Sequence, residues 1–171
     1  RFQNGEFLNL GRPASLAFLP GQPFTIVAVY SVDEGKFGTL IAQGGGPQAG
    51  RAYHFYTATG RLGGIVHGTR RETAVGPGPR VAALVCDGRN AELRYDGSTT
   101  QFPAGQGGSA GDVLVGARRE TADNTGVYWP LEGDLAELIV YRTALAKHVY
   151  GGVEAYLREK YGLADSTDML V

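Results

Sequence analysis

Two stretches near the end of the chain decide the fold: Gly133–Tyr141 (GDLAELIVY) and residues 153–163 (VEAYLREKYGL). The first is a short, mostly apolar run, which predicts a strand. The second places apolar residues three or four positions apart and ends at Gly162, which predicts an amphipathic helix with a glycine stop. Because β-like runs separated by glycines precede both stretches, we expect an all-β domain closed by one helix.

Short apolar runs bounded by glycines predict further strands along the chain. They are residues 6–10, 24–32, 37–43, 52–57, 61–67, 80–86, 91–95 and 113–117. The 27 glycines and 8 prolines are spread through the sequence, as suits many strands joined by tight turns. A run that is apolar at successive positions, such as residues 24–32, predicts a central strand covered on both faces.

The closing segment resembles that of laminin-G-like, concanavalin A-like jelly-roll domains, whose last strand has the form GD(I/L)AE(I/L)xxY and whose helix ends in YLxxKYGL. Residues 80–97 are similar to the family's "valvyDG…lrlYvDG" hairpin, and residues 113–117 (VLVGA) to its L-x-I-G-A strand. The resemblance implies a two-sheet antiparallel β-sandwich (jelly roll) with a C-terminal α-helix over residues 1–163. Residues 164–171 then form a tail or linker stub. The resemblance also implies that the strand near residues 6–10 pairs with the closing strand.

The closing helix departs from the family in two places. Ala146 stands where a capping serine is usual, and Gly151 and Gly152 fall inside the helical stretch. Since each interior glycine costs about 1 kcal/mol relative to alanine, we expect a frayed first turn or a later start. The spacing predicts one apolar stripe facing the sandwich. Its expected members are Leu145, Val149, Val153, Tyr156 or Leu157, and Lys160 or Tyr161.

Charge and composition exclude several partners. A net charge of −1 gives no global field that attracts nucleic acid, and no apolar run is long enough for membrane insertion. Cys86, the single cysteine, has no partner for an internal disulfide, and its apolar surroundings predict a buried thiol. The chain has the character of a domain from a larger extracellular or surface protein, with other domains of that protein as partners.

Catalysis is the first functional question, because concanavalin A-like folds include glucanases with an E-x-D-x-x-E strand motif. Glu132, Asp134 and Glu137 have that spacing, behind Trp129-Pro130. Regular strand alternation sends Glu137 to the opposite face from Glu132 unless a bulge intervenes. An alignment anchored on Trp129-Pro130 leaves Ala136 and Leu138 where acids would be needed. We therefore predict that the chain is not an enzyme, and keep a glucanase-like hydrolase as the third hypothesis.

A repeated segment points instead to binding. Residues 68–74 (GTRRETA) and 116–122 (GARRETA) match at six of seven positions, each directly after a predicted strand. If these strands end on the same side, Arg70 or Arg71 lies near Arg118 or Arg119 at one end of the sandwich. The planar guanidinium fork of arginine suits carboxylate, sulfate or phosphate groups. The alternative is a pair of exposed Arg–Glu ion pairs with no ligand.

Aromatic residues supply the second indication of binding, because sugar rings stack on tryptophan and tyrosine. Tyr128 and Trp129 precede the closing strand, and strand alternation places His54 and Tyr56 on one face with Tyr53 and Phe55 on the other. One of these two pairs faces the core. Trp129 is expected either at the surface as a binding residue or packed beneath its loop.

These features favour a non-catalytic recognition module for a glycan, with an acidic glycan as one alternative. The second hypothesis is a structural or adhesive module that makes protein contacts, such as a particle-decoration domain. No cofactor is implied. Calcium, which some relatives bind, has only scattered candidate ligands, without the dense oxygen spacing of a strong motif. These candidates are Asp112, Asp123, Asn124 and Asp134.

Overall fold

The structure is a computed structural model that describes residues 1–3, 5–45, 50–108, 111–120 and 126–163. Thirteen strands, a short 3-10 helix (Ala14–Leu16) and one α-helix make up the described elements. The strands are β1 Leu8–Asn9, β2 Phe24–Val32, β3 Phe37–Gly44, β4 Arg51–Ala58, β5 Arg61–Val66, β6 Thr69–Ala74, β7 Arg80–Cys86, β8 Asn90–Tyr95, β9 Ser98–Pro103, β10 Val113–Val115, β11 Arg118–Arg119, β12 Val127–Tyr128 and β13 Gly133–Tyr141. The helix, α1, is Lys147–Tyr161.

Two antiparallel sheets form a sandwich. The six-stranded sheet has the order β1-β10-β3-β4-β5-β6, and the five-stranded sheet has the order β13-β2-β7-β8-β9. The strands β11 and β12 pair as a separate hairpin. The predicted fold class is therefore confirmed. Residues 164–171, expected to form a tail, lie outside the described residues.

The apolar core has two layers. Alternate residues of β2, such as Phe24 and Ile26, meet Phe55 and Leu62 of the opposite sheet between the two sheets. The other face of the same strand, with Val27 and Val29, packs against α1. The strand is thus covered on both sides, as its continuous apolar run predicts. Cys86 is buried in the first layer, as expected.

The expected pairing of the first strand with the closing strand is wrong. Leu8 of β1 pairs with Val115 of β10 in the six-stranded sheet, whereas β13 pairs with β2 in the other sheet. Phe2 takes the expected place instead, because its backbone N–H donates to the Gly133 carbonyl at 2.8 Å. The chain then crosses to the other sheet before it reaches residue 8.

The helix begins at Lys147 and includes both interior glycines, so the expected later start is wrong. Gly162 ends it in the left-handed conformation, with φ of +60°. Leu145 and Leu157 of the expected stripe are buried, and Val153 and Tyr161 pack partly buried against the same cluster. Val149 is 44% exposed, and Tyr150 is buried in its place. Within the described part of the chain, no helix is long and apolar enough to cross a membrane.

Candidate functional site

A pocket of about 240 Å³ opens on the outer face of the six-stranded sheet, the face turned away from the five-stranded sheet. It is lined by Arg51, His54, Tyr56, Ile65, Arg70, Arg118 and Trp129. We call it the arginine pocket. Its residues come from β4, β5, β6, β11 and the segment that follows β12, so the fold collects them from distant parts of the sequence.

Strand alternation on β4 gives the pocket its floor. Tyr53 and Phe55 point into the core between the sheets. His54 and Tyr56 face the arginine pocket, and their rings stack at a centroid distance of 4.5 Å. The imidazole Nε2 of His54 lies 2.9 Å from the hydroxyl of Thr39. The expected division of these four residues between two faces is confirmed.

Tyr56 lies over a strand position that has no side chain. Gly63 of β5 is its cross-strand partner, and a Cβ at Gly63 would lie only 2.2 Å from Cζ of the Tyr56 ring. The phenol can therefore lie across β5 and reach β6. There its hydroxyl donates to Glu72 Oε1 at 2.8 Å and accepts from Arg70 Nε at 2.7 Å. Arg70 also pairs directly with Glu72.

The second wall holds Arg118, which is only 9% exposed. Its guanidinium carbon lies 4.6 Å from the ring centroid of Tyr128 and 5.3 Å from that of Trp129. One of its terminal nitrogens donates to the Arg119 carbonyl at 3.1 Å. Its Nε is buried without a hydrogen-bond partner among the described residues. A buried, unsatisfied N–H on a charged group is costly, and an incoming acceptor would relieve that cost.

Three arginines and no acidic side chain are among the described residues that line the arginine pocket. Burial, and then the positive charge of Arg118, lowers the pKa of Arg51 to about 10. Arg51 and Arg118 therefore both remain cations near neutral pH. The pKa of His54 is lowered by burial and then by the charges of Arg51, Arg118 and Arg70. His54 is therefore uncharged near neutral pH. Glu72 pairs with Arg70. A partly buried site with this excess of cations favours an anionic ligand.

Aromatic rings extend the site beyond the arginines. The ring centroid of Trp129 lies 5.5 Å from that of Tyr56, 5.4 Å from that of Phe37 and 6.2 Å from that of Tyr128. Phe37 is 39% exposed and Tyr128 is 45% exposed, whereas Trp129 is partly buried between them. We call Phe37, Tyr128 and Trp129 the aromatic platform. Large exposed rings beside a polar pocket are typical of surfaces that bind ligands.

The structure brings together six of the eight residues that the sequence singled out, five of them in the pocket lining and one at its edge. His54, Tyr56, Arg70, Arg118 and Trp129 line the arginine pocket, and Tyr128 lies at its edge against Arg118. The repeated segments therefore do meet, but on a sheet face and not at one end of the sandwich. Thr121 and Ala122 of the second repeat lie outside the described residues.

Arg71 and Arg119 are not in the pocket, because strand alternation turns each away from its neighbour. Arg71 of β6 is the cross-strand partner of Gly64 of β5, and a Cβ added at Gly64 would point at Leu84 in the core. Arg119 lies 2.9 Å from Asp112, with which it forms an ion pair. Each repeat thus supplies one arginine to the pocket.

Sequence reasoning missed Arg51, Ile65 and Phe37. No local motif marks them, since they reach the site only through the register of β3, β4 and β5. The alternation of β4 places Arg51 near His54, but only once the strand is known to begin at Arg51. Phe37 is recognisable only by its exposure beside Trp129.

Carboxylates are distributed in a way that does not resemble a metal site. Over the described ranges, no three His, Cys, Asp or Glu side chains lie close enough together to hold a metal ion. Asp112, one of the expected calcium candidates, pairs with Arg12 at 3.3 Å and with Arg119. Two other candidates, Asp123 and Asn124, lie outside the described residues.

The carboxylates of the glucanase-like motif are held by lysines. A bulge between Leu135 and Glu137 does interrupt the alternation of β13. Glu137 pairs with Lys160 at 2.8 Å and accepts from the Tyr161 hydroxyl at 3.0 Å, which places it beside α1. Glu132 pairs with Lys36 at 3.0 Å. Each acid thus makes its own ion pair.

We expect the stability of the domain to fall as the pH drops below about 6.5. Burial lowers the pKa of both His54 and His67, so the unfolded chain takes up protons that the folded chain does not bind. The contribution of each buried histidine to the free energy of unfolding is fully present above the pKa of histidine in the unfolded chain. Below that pKa it falls by up to about 1.4 kcal/mol per pH unit. Urea unfolding between pH 7 and 5 measures this loss, because histidine titrates in that interval.

The matched variants are H54Q and H148Q. We expect H54Q to show a shallower fall than the wild type. His148, exposed in the first turn of α1, serves as the control, and H148Q is expected to keep the wild-type slope. An H54Q slope equal to that of the wild type would contradict the assignment of His54 as a buried neutral group.

Comparison with known proteins supports the architecture. No protein-family model matches the chain, and no curated protein matches it in sequence. Solved structures do match. The CBM40 module of the Ruminococcus gnavus IT-sialidase, bound to α2,3-sialyllactose, has a TM-score of 0.66 and 18% identity, covering 90% of this chain and 98% of that chain.

Two further matches come from other proteins. The NanB sialidase from Streptococcus pneumoniae has a TM-score of 0.66 and 10% identity, over 87% of this chain and 26% of that chain. A SAP-like heptameric pentraxin from Limulus polyphemus has a TM-score of 0.56 and 16% identity, over 78% of this chain and 70% of that chain. At these identities the likeness shows a shared jelly-roll-like β-sandwich.

Proposed function

We propose that the chain is a non-catalytic carbohydrate-binding module whose ligand is a glycan that carries a carboxylate, such as a sialic acid or a uronic acid. One observation carries the proposal: Arg70 and Arg118, from two repeated segments, line one pocket against aromatic rings, with no acidic side chain among its described lining residues. The R. gnavus module with the same fold is bound to sialyllactose, an acidic glycan, and this adds support.

The carboxylate is proposed to bind between Arg118 and Arg70. Arg118 offers a buried Nε–H that has no hydrogen-bond partner within the described residues, and its guanidinium lies against the rings of Tyr128 and Trp129. Arg70 is held by Tyr56 and Glu72, so little side-chain entropy remains to be lost when a ligand binds. Two oriented guanidinium groups match the geometry of a carboxylate better than that of a neutral hydroxyl.

The aromatic platform is proposed to take the neighbouring sugar of the same glycan. A pyranose ring has an apolar face of axial hydrogens, which packs against an aromatic ring while the hydroxyls stay in contact with water. Phe37 and Tyr128 are exposed on either side of Trp129. The site as a whole therefore fits a charged residue followed by a neutral one.

The wider setting of the domain is also part of the proposal. By its closing strand and helix the chain fits the laminin-G-like group of concanavalin A-like folds. A glycan-binding module of that group acts as a domain of a larger extracellular or surface protein, where it holds the partner domains close to the glycan. No calcium ion is needed for the arginine pocket, since arginine nitrogens supply the contacts.

Protein contact through the start of the chain is the second candidate function. Leu8 and Leu10 are 56% and 45% exposed, and β1 is the edge strand of the six-stranded sheet. Exposed leucines on an open edge suit an assembly or adhesion surface. Concentration-dependent self-association that is lost in L8D/L10D would favour this function over glycan binding.

The test of the proposed function is a matched set of glycans. We expect sialyllactose and a uronate-containing oligosaccharide to bind at least about tenfold more tightly than their carboxyl-reduced counterparts, since each lost charged hydrogen bond is worth about 1.5 to 3 kcal/mol. Titration calorimetry at low and high salt measures this, and binding is expected to weaken with salt. A sulfated counterpart separates carboxylate recognition from general anion binding.

Two outcomes would contradict the proposal. Equal affinity for the acidic glycan and its carboxyl-reduced form would remove the role of the arginines. Recovery of shortened glycan after incubation, lost in E132Q or E137Q, would make the chain a hydrolase. We expect every glycan to be recovered intact.

A further inference from the structure

A larger pocket, of about 510 Å³, lies at one end of the sandwich, where the turns after β2, β4 and β6 meet. We call it the end pocket. None of the residues that line it belongs to the arginine pocket. Its volume falls within the range of small-molecule sites, roughly 300 to 1,000 Å³. Nothing in the proposed function uses it.

A buried tyrosine lines the end pocket. Tyr30 of β2 is only 3% exposed, and its hydroxyl has no hydrogen-bond partner among the residues that the structure describes. Burial raises the pKa of Tyr30, so the phenol keeps its proton. Buried hydroxyls in folded proteins are nearly always hydrogen-bonded, because an unpaired one retains its desolvation cost. The hydroxyl is therefore a group that a ligand or its bridging water can satisfy.

The charges around the end pocket are largely paired with one another. Arg80, which is buried, forms an ion pair with Asp96 at 2.8 Å. It also donates to the carbonyl oxygens of Gly76 and Pro77. Lys36 pairs with Glu132 at 3.0 Å, and Asp33 pairs with Arg1 at 2.7 Å. In contrast to the arginine pocket, this pocket has no excess of cations, so an anion gains little there.

The remaining surface of the end pocket is amphipathic. Val75 and Pro77 bring apolar surface to the turn after β6, while Thr57 and Thr59 line the pocket near the turn after β4. Glu34, at the rim, is exposed, and a carboxylate of this kind accepts hydrogen bonds from pairs of hydroxyls. Apolar patches with a few hydroxyl and carboxylate groups suit a neutral, polyhydroxylated ring.

We propose that the end pocket is a second carbohydrate site, which binds a neutral hexose. The sugar packs its apolar face on Val75 and Pro77, and one of its oxygens accepts from the Tyr30 hydroxyl directly or through one water. This site is independent of the arginine pocket, and its existence does not depend on the acidic ligand. A module with both sites can hold two parts of a branched or long glycan at once, which raises its overall avidity.

The test is an NMR titration of the labelled protein with methyl glucoside, methyl galactoside and methyl mannoside. The backbone amides of Gly35, Gly60, Gly76 and Gly78 line the end pocket and serve as reporters. We expect one of the three sugars to shift these resonances in a saturable way. The arginine-pocket variant R118A is expected to respond as the wild type does, so that failure of the acidic-glycan proposal leaves this result unchanged.

Two variants are directed at the end pocket. Y30F removes only the unpaired hydroxyl. It is expected to weaken binding of the hexose by roughly two- to tenfold with the fold intact. G76L fills the space, since a Cβ at Gly76 meets nothing nearer than an Arg80 nitrogen at 4.0 Å, and it is expected to abolish the shifts. Unchanged affinity in both variants, no shift with any of the three sugars, or preference for a cationic aminosugar would each overturn the proposal.

Discussion

Replacing Arg118 with alanine is expected to weaken binding of a carboxylate-bearing glycan by about two orders of magnitude. Truncating one partner of a buried, charged hydrogen-bonded contact typically costs 2 to 5 kcal/mol, and tenfold in affinity is about 1.4 kcal/mol. Arg118 is nearly buried, oriented by two aromatic rings, and has an Nε with no hydrogen-bond partner in the described chain. Calorimetry with sialyllactose measures the loss.

Neighbouring arginines provide matched controls for that variant. R119A and R71A remove the same charge one residue away, but neither side chain lines the arginine pocket, so we expect affinities within about threefold of the wild type. R70A is expected to lose at least about tenfold, because it removes the second guanidinium contact and its pairing with Glu72 and Tyr56. R118A affinity equal to that of R119A would show that the pocket does not recognise charge.

Gly63→Ala is the substitution with the second largest expected effect. Its Cβ would lie 2.2 Å from the Tyr56 ring, so the phenol has to leave its place across β5. Forced repacking of this kind costs roughly 1 to 3 kcal/mol of stability. The displaced phenol also loses its hydrogen bonds to Glu72 and Arg70. We therefore expect a lower midpoint in urea and at least about tenfold weaker binding of the acidic glycan.

Gly151→Ala is the same chemical change at an open position. Gly151 lies inside α1, and a Cβ there meets no atom within 4 Å. The substitution is expected to stabilise the domain by up to about 1 kcal/mol and to leave binding unchanged. If G63A is as stable as G151A and keeps its affinity for the acidic glycan, the position of Tyr56 does not depend on the absence of a side chain at residue 63.

The closing helix and most of the strands were predictable because their signals are local. Alternation on β4, the continuous apolar run of β2 and the glycine that ends α1 each depend on near neighbours in the sequence. The pairing of the first strand was not predictable. Residues 6–10 are all exposed, so their pattern contains no information about which sheet they join, and the backbone of Phe2 makes the contact with β13 instead.

Five of the seven residues that line the arginine pocket could be named from the sequence for a similar reason. The repeat indicated that arginines converge, but the choice between Arg70 and Arg71 required knowing that Thr69–Ala74 is itself a strand paired with β5. Its charged composition hides that strand from an apolar pattern. Arg51 and Phe37 depend on the pairing register of β3 and β4, which includes two irregularities. Register of this kind is a tertiary property.

The position of Trp129 has a practical consequence for measurement. It is the only tryptophan in the chain, and its ring lies against Arg118 in the wall of the arginine pocket. All indole emission of the unlabelled protein therefore originates at that wall. An anion bound to the guanidinium of Arg118 changes the intensity or colour of this emission, whereas a hexose in the end pocket leaves it unaltered. A single fluorescence channel can thus report occupancy of the arginine pocket alone, without any dye.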